Sequence, residues 1–97
     1  MNLNMENETV YPDGLTVRRM RHENGWSPRE LIDAIAAASL RATGIRETIT
    51  PNLLIGIEEH DEIIPYATLC LLADGLDCDP VEIRREGPRE PENELLS

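Results

Sequence analysis

The sequence of 97 residues contains no Phe, one Trp and two Tyr, so aromatic side chains make up only 3% of the chain. Any hydrophobic core must be built from aliphatic side chains, which suit packed helices better than a sheet sandwich rich in β-branched and aromatic residues. Lys is also absent, so all nine basic residues are Arg. The hydrophobic content of 40% excludes a wholly disordered chain, and the length predicts one small domain.

Long apolar runs are missing as well. No stretch approaches the roughly 18 to 20 apolar residues that cross a bilayer. The N-terminal segment carries Glu6 and Glu8 and no basic residue, whereas a signal peptide begins with positive charge followed by an apolar run. We therefore expect a cytoplasmic protein that has no membrane partner.

The residue patterns of catalysis and metal binding are not recognisable in the sequence. Cys70 and Cys78 form no Cys-x-x-Cys pair and have no pair of histidines beside them, so we predict neither a disulfide nor a zinc site. No carboxylate pair, Ser-His-Asp set or glycine-rich phosphate loop stands out. We expect no enzyme activity, no catalytic residues, no metal and no cofactor.

The net charge of −10 is unevenly distributed. Residues 1–13 carry −3, and residues 58–97 carry −9, from twelve acids and three arginines. Residues 14–57 carry +2, from six arginines and four acids. An acidic protein is an unusual partner for nucleic acid, but its middle segment is locally basic.

Proline and glycine predict where helices begin and end. Proline is favoured at the first helical residue and glycine just past the last. The prolines so placed are Pro28, Pro51, Pro65 and Pro80, and the glycines are Gly25, Gly44, Gly75 and Gly87. The pattern predicts an all-α fold of five helices, at about 14–24, 28–43, 51–60, 65–74 and 80–86. This domain would span residues 13–86, between flexible acidic tails at 1–12 and 87–97.

Local capping and apolar spacing support these helices. Ser27 with Glu30, and Asp79 with Glu82, have the spacing of capping boxes, and Thr50 precedes Pro51 as a helix cap. Apolar residues at helical spacing predict a single shared core. The predicted core residues are Leu15, Val17, Met20, Leu31, Ile32, Ile35, Ala38, Leu54, Ile57, Leu69, Leu72, Ala73, Leu76, Val81 and Ile83.

The ordered set of motifs resembles the lambda-repressor-like (XRE-type) helix-turn-helix family. The resemblance is carried by Val17-Arg18-Arg19-Met20-Arg21, Gly25-Trp26-Ser27, Glu30-Leu31, Ile49-Thr50, Leu54 to Glu58, and then Pro65, Leu69, Leu72-Ala73, Leu76 and Asp79-Pro80 with Ile83. It covers about 70 residues. The chain departs from the family in having Pro28 where Gln is usual, Ile32 where Ala is usual, and an insertion of about a dozen residues at 36–48. We therefore expect an extended second helix and a loop before the third.

The resemblance implies a sequence-specific, repressor-type transcriptional regulator that binds operator DNA as a homodimer. The third helix would enter the major groove, and arginines would contact phosphates. The candidate DNA-binding residues are Arg18, Arg21, Arg29, Arg41, Arg46, Thr50, Pro51, Asn52, Ile55 and Gly56. Asn52 can bind adenine, Ile55 can touch a thymine methyl, and Gly56 can permit close approach to DNA or to another helix. Glu59, Asp61 and Glu62 would repel phosphates if they faced the duplex.

A second hypothesis is a protein-interaction module on a helix-turn-helix scaffold, such as an antitoxin, an anti-repressor or a phage-type modulator, with little DNA binding. Its support is the acidic C-terminal half, the insertion, and apolar Leu53 and Ile55 on a third helix without Arg or Gln. Fold alone does not separate the two hypotheses.

Overall fold

The computed structural model describes residues 8–88, which form four α-helices and three short strands. In chain order the elements are β1 Thr9–Pro12, α1 Gly14–Glu23, α2 Pro28–Thr43, α3 Pro51–His60, β2 Ile64–Pro65, α4 Tyr66–Leu76 and β3 Arg84–Arg85, with a single 3₁₀ turn, Pro80–Ile83, before β3. The predicted five-helix, all-α fold is therefore wrong. Within residues 8–88, no helix has both the length and the apolar character needed to cross a membrane.

The three strands form an antiparallel sheet in the order β2-β1-β3. Val10 of β1 lies opposite Ile64, and Pro12 lies opposite Arg84. Val10 and Pro12 are buried, so β1 contributes one face to the core. Residues 9–12 are thus part of the domain, and the predicted flexible tail at 1–12 is wrong for them. Residues 1–7 and 89–97, where the rest of both predicted tails falls, lie outside the described residues.

The predicted fifth helix, 80–86, is replaced by the 3₁₀ turn and β3. The predicted capping box of Asp79 and Glu82 is present and begins a single helical turn. The backbone then turns away to pair with β1, and the Asp13 amide donates to the Ile83 carbonyl at 2.7 Å. A segment of about seven residues forms no stable helix by itself, so strand pairing decides its conformation.

The other helices lie close to their predicted positions, and α2 and α3 match them at both ends. Ser27 and Glu30 form the capping box that begins α2. Gly44 ends α2 in the left-handed conformation, with φ of 80°, which glycine adopts without steric cost. The predicted extension of the second helix, followed by a non-helical connection, is confirmed.

α2 packs most extensively against α4, and Gly75 is where the two helices approach closely. A Cβ at Gly75 would lie 2.9 Å from the Ile35 Cα, closer than side-chain atoms pack. Gly75 was predicted to end a helix, but it lies inside α4 and is buried. Its function is to admit the neighbouring backbone, and α4 ends at Leu76 instead.

The core is aliphatic, as the composition predicts. Its buried members are Val10, Val17, Leu31, Ile35, Ile49, Leu54, Ile57, Ile64, Leu69, Leu72, Ala73, Leu76 and Ile83. Leu15 and Val81 were predicted to be buried but are exposed. Leu15 turns outward because the adjacent Gly14 occupies the contact with α3, where a Cβ would overlap the Ile57 carbonyl. Val10 and Ile64 are core residues that belong to the antiparallel sheet, which the sequence pattern does not predict.

Candidate nucleic-acid interface

α3 is anchored on one face and open on the other. Leu54 and Ile57 are fully buried in the core, whereas Pro51, Asn52 and Ile55 are exposed to solvent. Ile55 keeps 52% of its surface accessible, although burial would favour a side chain of its size. The N-terminal half of the helix therefore presents an accessible face at a fixed position.

In the first turn of α3, Thr50 caps the helix and the Asn52 side chain is exposed. The Thr50 hydroxyl accepts a hydrogen bond from the Leu53 amide at 3.1 Å, which caps the helix and leaves the hydroxyl hydrogen able to donate. Pro51 follows at the first helical position. The Asn52 side chain has no hydrogen-bond partner among residues 8–88. Its amide can therefore donate and accept at once.

Residues 44–50, here called the strap, connect α2 to α3 and are bonded back onto α2. The Ser39 hydroxyl donates to the Ile45 carbonyl at 2.7 Å and accepts from the Glu47 amide at 3.3 Å. The Thr48 hydroxyl donates to the Ile32 carbonyl at 2.6 Å. The loop itself was predicted, but these bonds were not. Hydroxyl residues at both ends of the insertion are the signal that could have indicated them.

Three of the predicted phosphate-binding arginines lie on α2 and in the strap. Arg29 lies in the first turn of α2, Arg41 near the end of α2, and Arg46 in the strap; all three are exposed. None of them forms an ion pair with another residue of the described chain, 8–88. Each guanidinium is therefore available to an external anion.

The first turns of α2 and α3 adjoin one another. A shallow groove of about 350 Å³ separates them, lined by Pro28, Arg29, Ile32, Asp33 and Pro51. Helix N-termini carry partial positive charge, and Arg29 adds a full charge to the rim of the groove. Asp33 is the acidic residue in its lining, so the groove is not uniformly positive.

Arg21 is not part of the exposed surface. Its side chain is buried, with 7% of the residue accessible. The guanidinium donates to both Glu58 carboxylate oxygens, at 2.8 and 2.9 Å, and to the Trp26 carbonyl at 2.9 Å. The hydrogen bonds to Glu58 raise the pKa of Arg21, against the opposing effect of burial. The expectation that Arg21 contacts phosphate is therefore corrected: it joins α1 to α3.

Gly56 also has an internal role. It is buried, and a Cβ there would overlap the Glu62 carboxylate. Its carbonyl accepts hydrogen bonds from the Asp61 and Glu62 amides as the chain leaves α3. The expectation that Gly56 permits close approach to DNA is corrected, because the chain itself occupies that space.

Of the acids that follow Glu58, Asp61 is buried, whereas Glu59 and Glu62 are exposed. Glu59 lies 3.8 Å from the Arg18 guanidinium in a half-exposed ion pair. Asp61 is buried and accepts a hydrogen bond from the Gly14 amide at 2.9 Å, where α1 begins. Glu62 lies over Gly56. Arg18, a predicted phosphate ligand, is thus half-exposed and lies beside Glu59.

Among residues 8–88, no group of three or more His, Cys, Asp or Glu side chains could hold a metal ion. Searches against protein-family models, curated proteins and solved structures give no match to this chain. What the exposed face of α3 binds has to be inferred from its own chemistry.

Proposed function

We propose that this protein is a sequence-specific DNA-binding regulator of the repressor type, which places the N-terminal half of α3 in the major groove of an operator. The observation that carries the proposal is the accessible face of α3, where Ile55 is half-exposed and the Asn52 side chain has no hydrogen-bond partner among residues 8–88, with Arg29 across the groove from Pro51. A helix fits the major groove, and arginines beside it hold the phosphate backbone.

The distribution of charge supports this proposal despite the net charge of −10. Arg29 lies beside the exposed first turn of α3, whereas Arg41 and Arg46 are exposed farther along α2 and in the strap. Asp61 is bonded to the start of α1 and Glu59 lies 3.8 Å from Arg18, whereas Glu47 and Glu62 are exposed. Phosphates that approach the first turn of α3 would meet Arg29, while the exposed acids would oppose binding in the wrong orientation.

We also propose that the protein binds a palindromic operator as a homodimer. Two copies would present their α3 helices to successive major grooves, about 34 Å apart. Half-site spacing in a selected operator and the mass of the complex in sedimentation would both report the stoichiometry.

The test is a fluorescence-anisotropy titration with random duplex DNA at low salt, followed by selection from a random library. Arg29→Ala, Arg41→Ala and Arg46→Ala should each weaken binding to every duplex and reduce the slope of log K against log salt by about 0.9. Arg19→Ala is the matched control, because Arg19 already pairs with Glu23 at 3.0 Å. The proposal fails if the wild type does not associate at tens of micromolar, or if the three arginines behave like Arg19.

A second candidate is the protein-interaction module. Leu40 and Ile45 lie on either side of the Gly44 turn and are 49% and 61% exposed. Large apolar residues exposed together often mark protein contacts. This candidate predicts that a partner is captured after DNase treatment and is lost with Leu40→Asp, while the wild type fails to bind duplex DNA.

A further inference from the structure

We propose that α3 selects A·T base pairs, with Asn52 binding adenine and Ile55 contacting the methyl group of a nearby thymine. This inference rests on the proposed DNA binding and specifies what the same face reads. It follows from which side chains of α3 reach solvent and from the hydrogen-bonding groups that each base presents.

Asn52 and Ile55 lie on the same face of α3 because they are three residues apart. The corresponding rise along the helix is about 4.5 Å, close to the roughly 3.4 Å between stacked base pairs. With the N-terminal end of α3 in the groove, the two side chains would address neighbouring base pairs.

The chemistry of the two side chains favours A·T over G·C. Adenine presents an acceptor and a donor in the major groove, which the Asn52 amide matches with its own donor and acceptor. Guanine presents two acceptors and is read by Arg or Lys, neither of which occurs between Pro51 and His60. Ile55 has no polar atom, so its favourable base contact is the thymine methyl.

Two neighbouring residues could in principle read G·C. Glu59 can accept from cytosine, but it pairs with Arg18 and lies about 10 Å along the helix from Asn52. Arg29 can read guanine, but it lies on α2, and the groove between α2 and α3 separates it from Pro51. We assign Arg29 to the phosphate backbone, so its removal should weaken all sequences equally.

The experiment is selection from a random duplex library with the wild-type full chain, followed by affinity measurements on the selected site. The wild type should enrich A·T pairs at the positions that α3 contacts. Asn52→Ala should lose about 5- to 150-fold in affinity for the selected site and lose its preference at the adenine position. Arg29→Ala should bind more weakly but enrich the same sequence.

Replacement of the contacted thymine by deoxyuridine isolates the methyl group. It should cost the wild type about fourfold in affinity, as expected for one buried methyl, and cost Ile55→Ala nothing. Both positions are exposed, so these variants should keep the wild-type circular dichroism spectrum and thermal midpoint.

Enrichment of G·C pairs at the Asn52-dependent positions, or equal affinity for thymine and deoxyuridine, would overturn this inference and leave DNA binding intact. Absence of duplex binding by the wild type would overturn the proposed function and this inference together. The two failures are therefore distinguishable in one set of titrations.

Discussion

The buried ion pair between Arg21 and Glu58 should be one of the most sensitive points of the fold. Arg21→Met keeps an unbranched side chain of similar length but removes three hydrogen bonds, two to Glu58 and one to the Trp26 carbonyl. It leaves the Glu58 carboxylate buried without its cation. Breaking such a pair costs about 3 to 5 kcal/mol, a large part of the roughly 5 to 15 kcal/mol that stabilises a small domain.

Equilibrium urea unfolding measures this loss, with Trp26, the single tryptophan, reporting by fluorescence from beside the ion pair. The thermal midpoint of Arg21→Met should fall by at least about 12 °C. Arg19→Met is the matched control, because the Arg19–Glu23 pair is exposed and one turn apart in the same helix. Pairs of that kind contribute about 0.3 to 0.5 kcal/mol.

The double variant Arg21→Met/Glu58→Leu distinguishes the cost of leaving the Glu58 charge unpaired from the cost of losing the hydrogen bonds of Arg21. Since it removes both charges from the interior, it should be more stable than Arg21→Met alone. The Arg21 guanidinium, whose pKa is raised by its hydrogen bonds to Glu58, stays charged throughout the usual pH range, so its own titration should not complicate the comparison. A loss below about 1 kcal/mol for Arg21→Met, or one equal to that of Arg19→Met, would refute the reasoning.

Three further predictions concern packing, the strap and a thiol. Gly75→Ala should destabilise the protein by about 1 to 3 kcal/mol in urea unfolding, because a Cβ would crowd Ile35; a neutral result would mean that α2 and α4 separate freely. Ser39→Ala should accelerate hydrogen exchange at the Glu47 amide, which it now bonds, whereas unchanged exchange would show that other contacts hold the strap. Burial raises the pKa of the Cys78 thiol, and the Glu82, Asp79 and Asp77 carboxylates raise it further. In the Cys70→Ser variant, Cys78 should therefore react with Ellman's reagent at pH 8 more slowly in the folded protein than in urea. Equal rates would contradict this prediction.

The candidate site was partly predictable from the sequence. Pro51 with Thr50 places the beginning of α3, and apolar spacing identifies Leu54 and Ile57 as its buried face. The opposite face, with Asn52 and Ile55, follows from helical periodicity. Which polar residues are free on that face does not follow, because hydrogen-bond partners come from other parts of the chain. Arg21 and Arg18 have similar sequence surroundings, yet the first is buried against Glu58.

Local signals in the sequence place the ends of the four α-helices within two residues, because caps, prolines and apolar spacing act within one or two turns. The sheet and the loss of the fifth helix are decided by tertiary structure. The two-residue strands β2 and β3 carry no periodic signal, and they form only because β1 lies between them. The role of Gly75 is likewise decided by its contact with Ile35, which is distant in the sequence. Short-range chemistry specifies the helices of this protein, and long-range packing determines which of their side chains remain available to a partner.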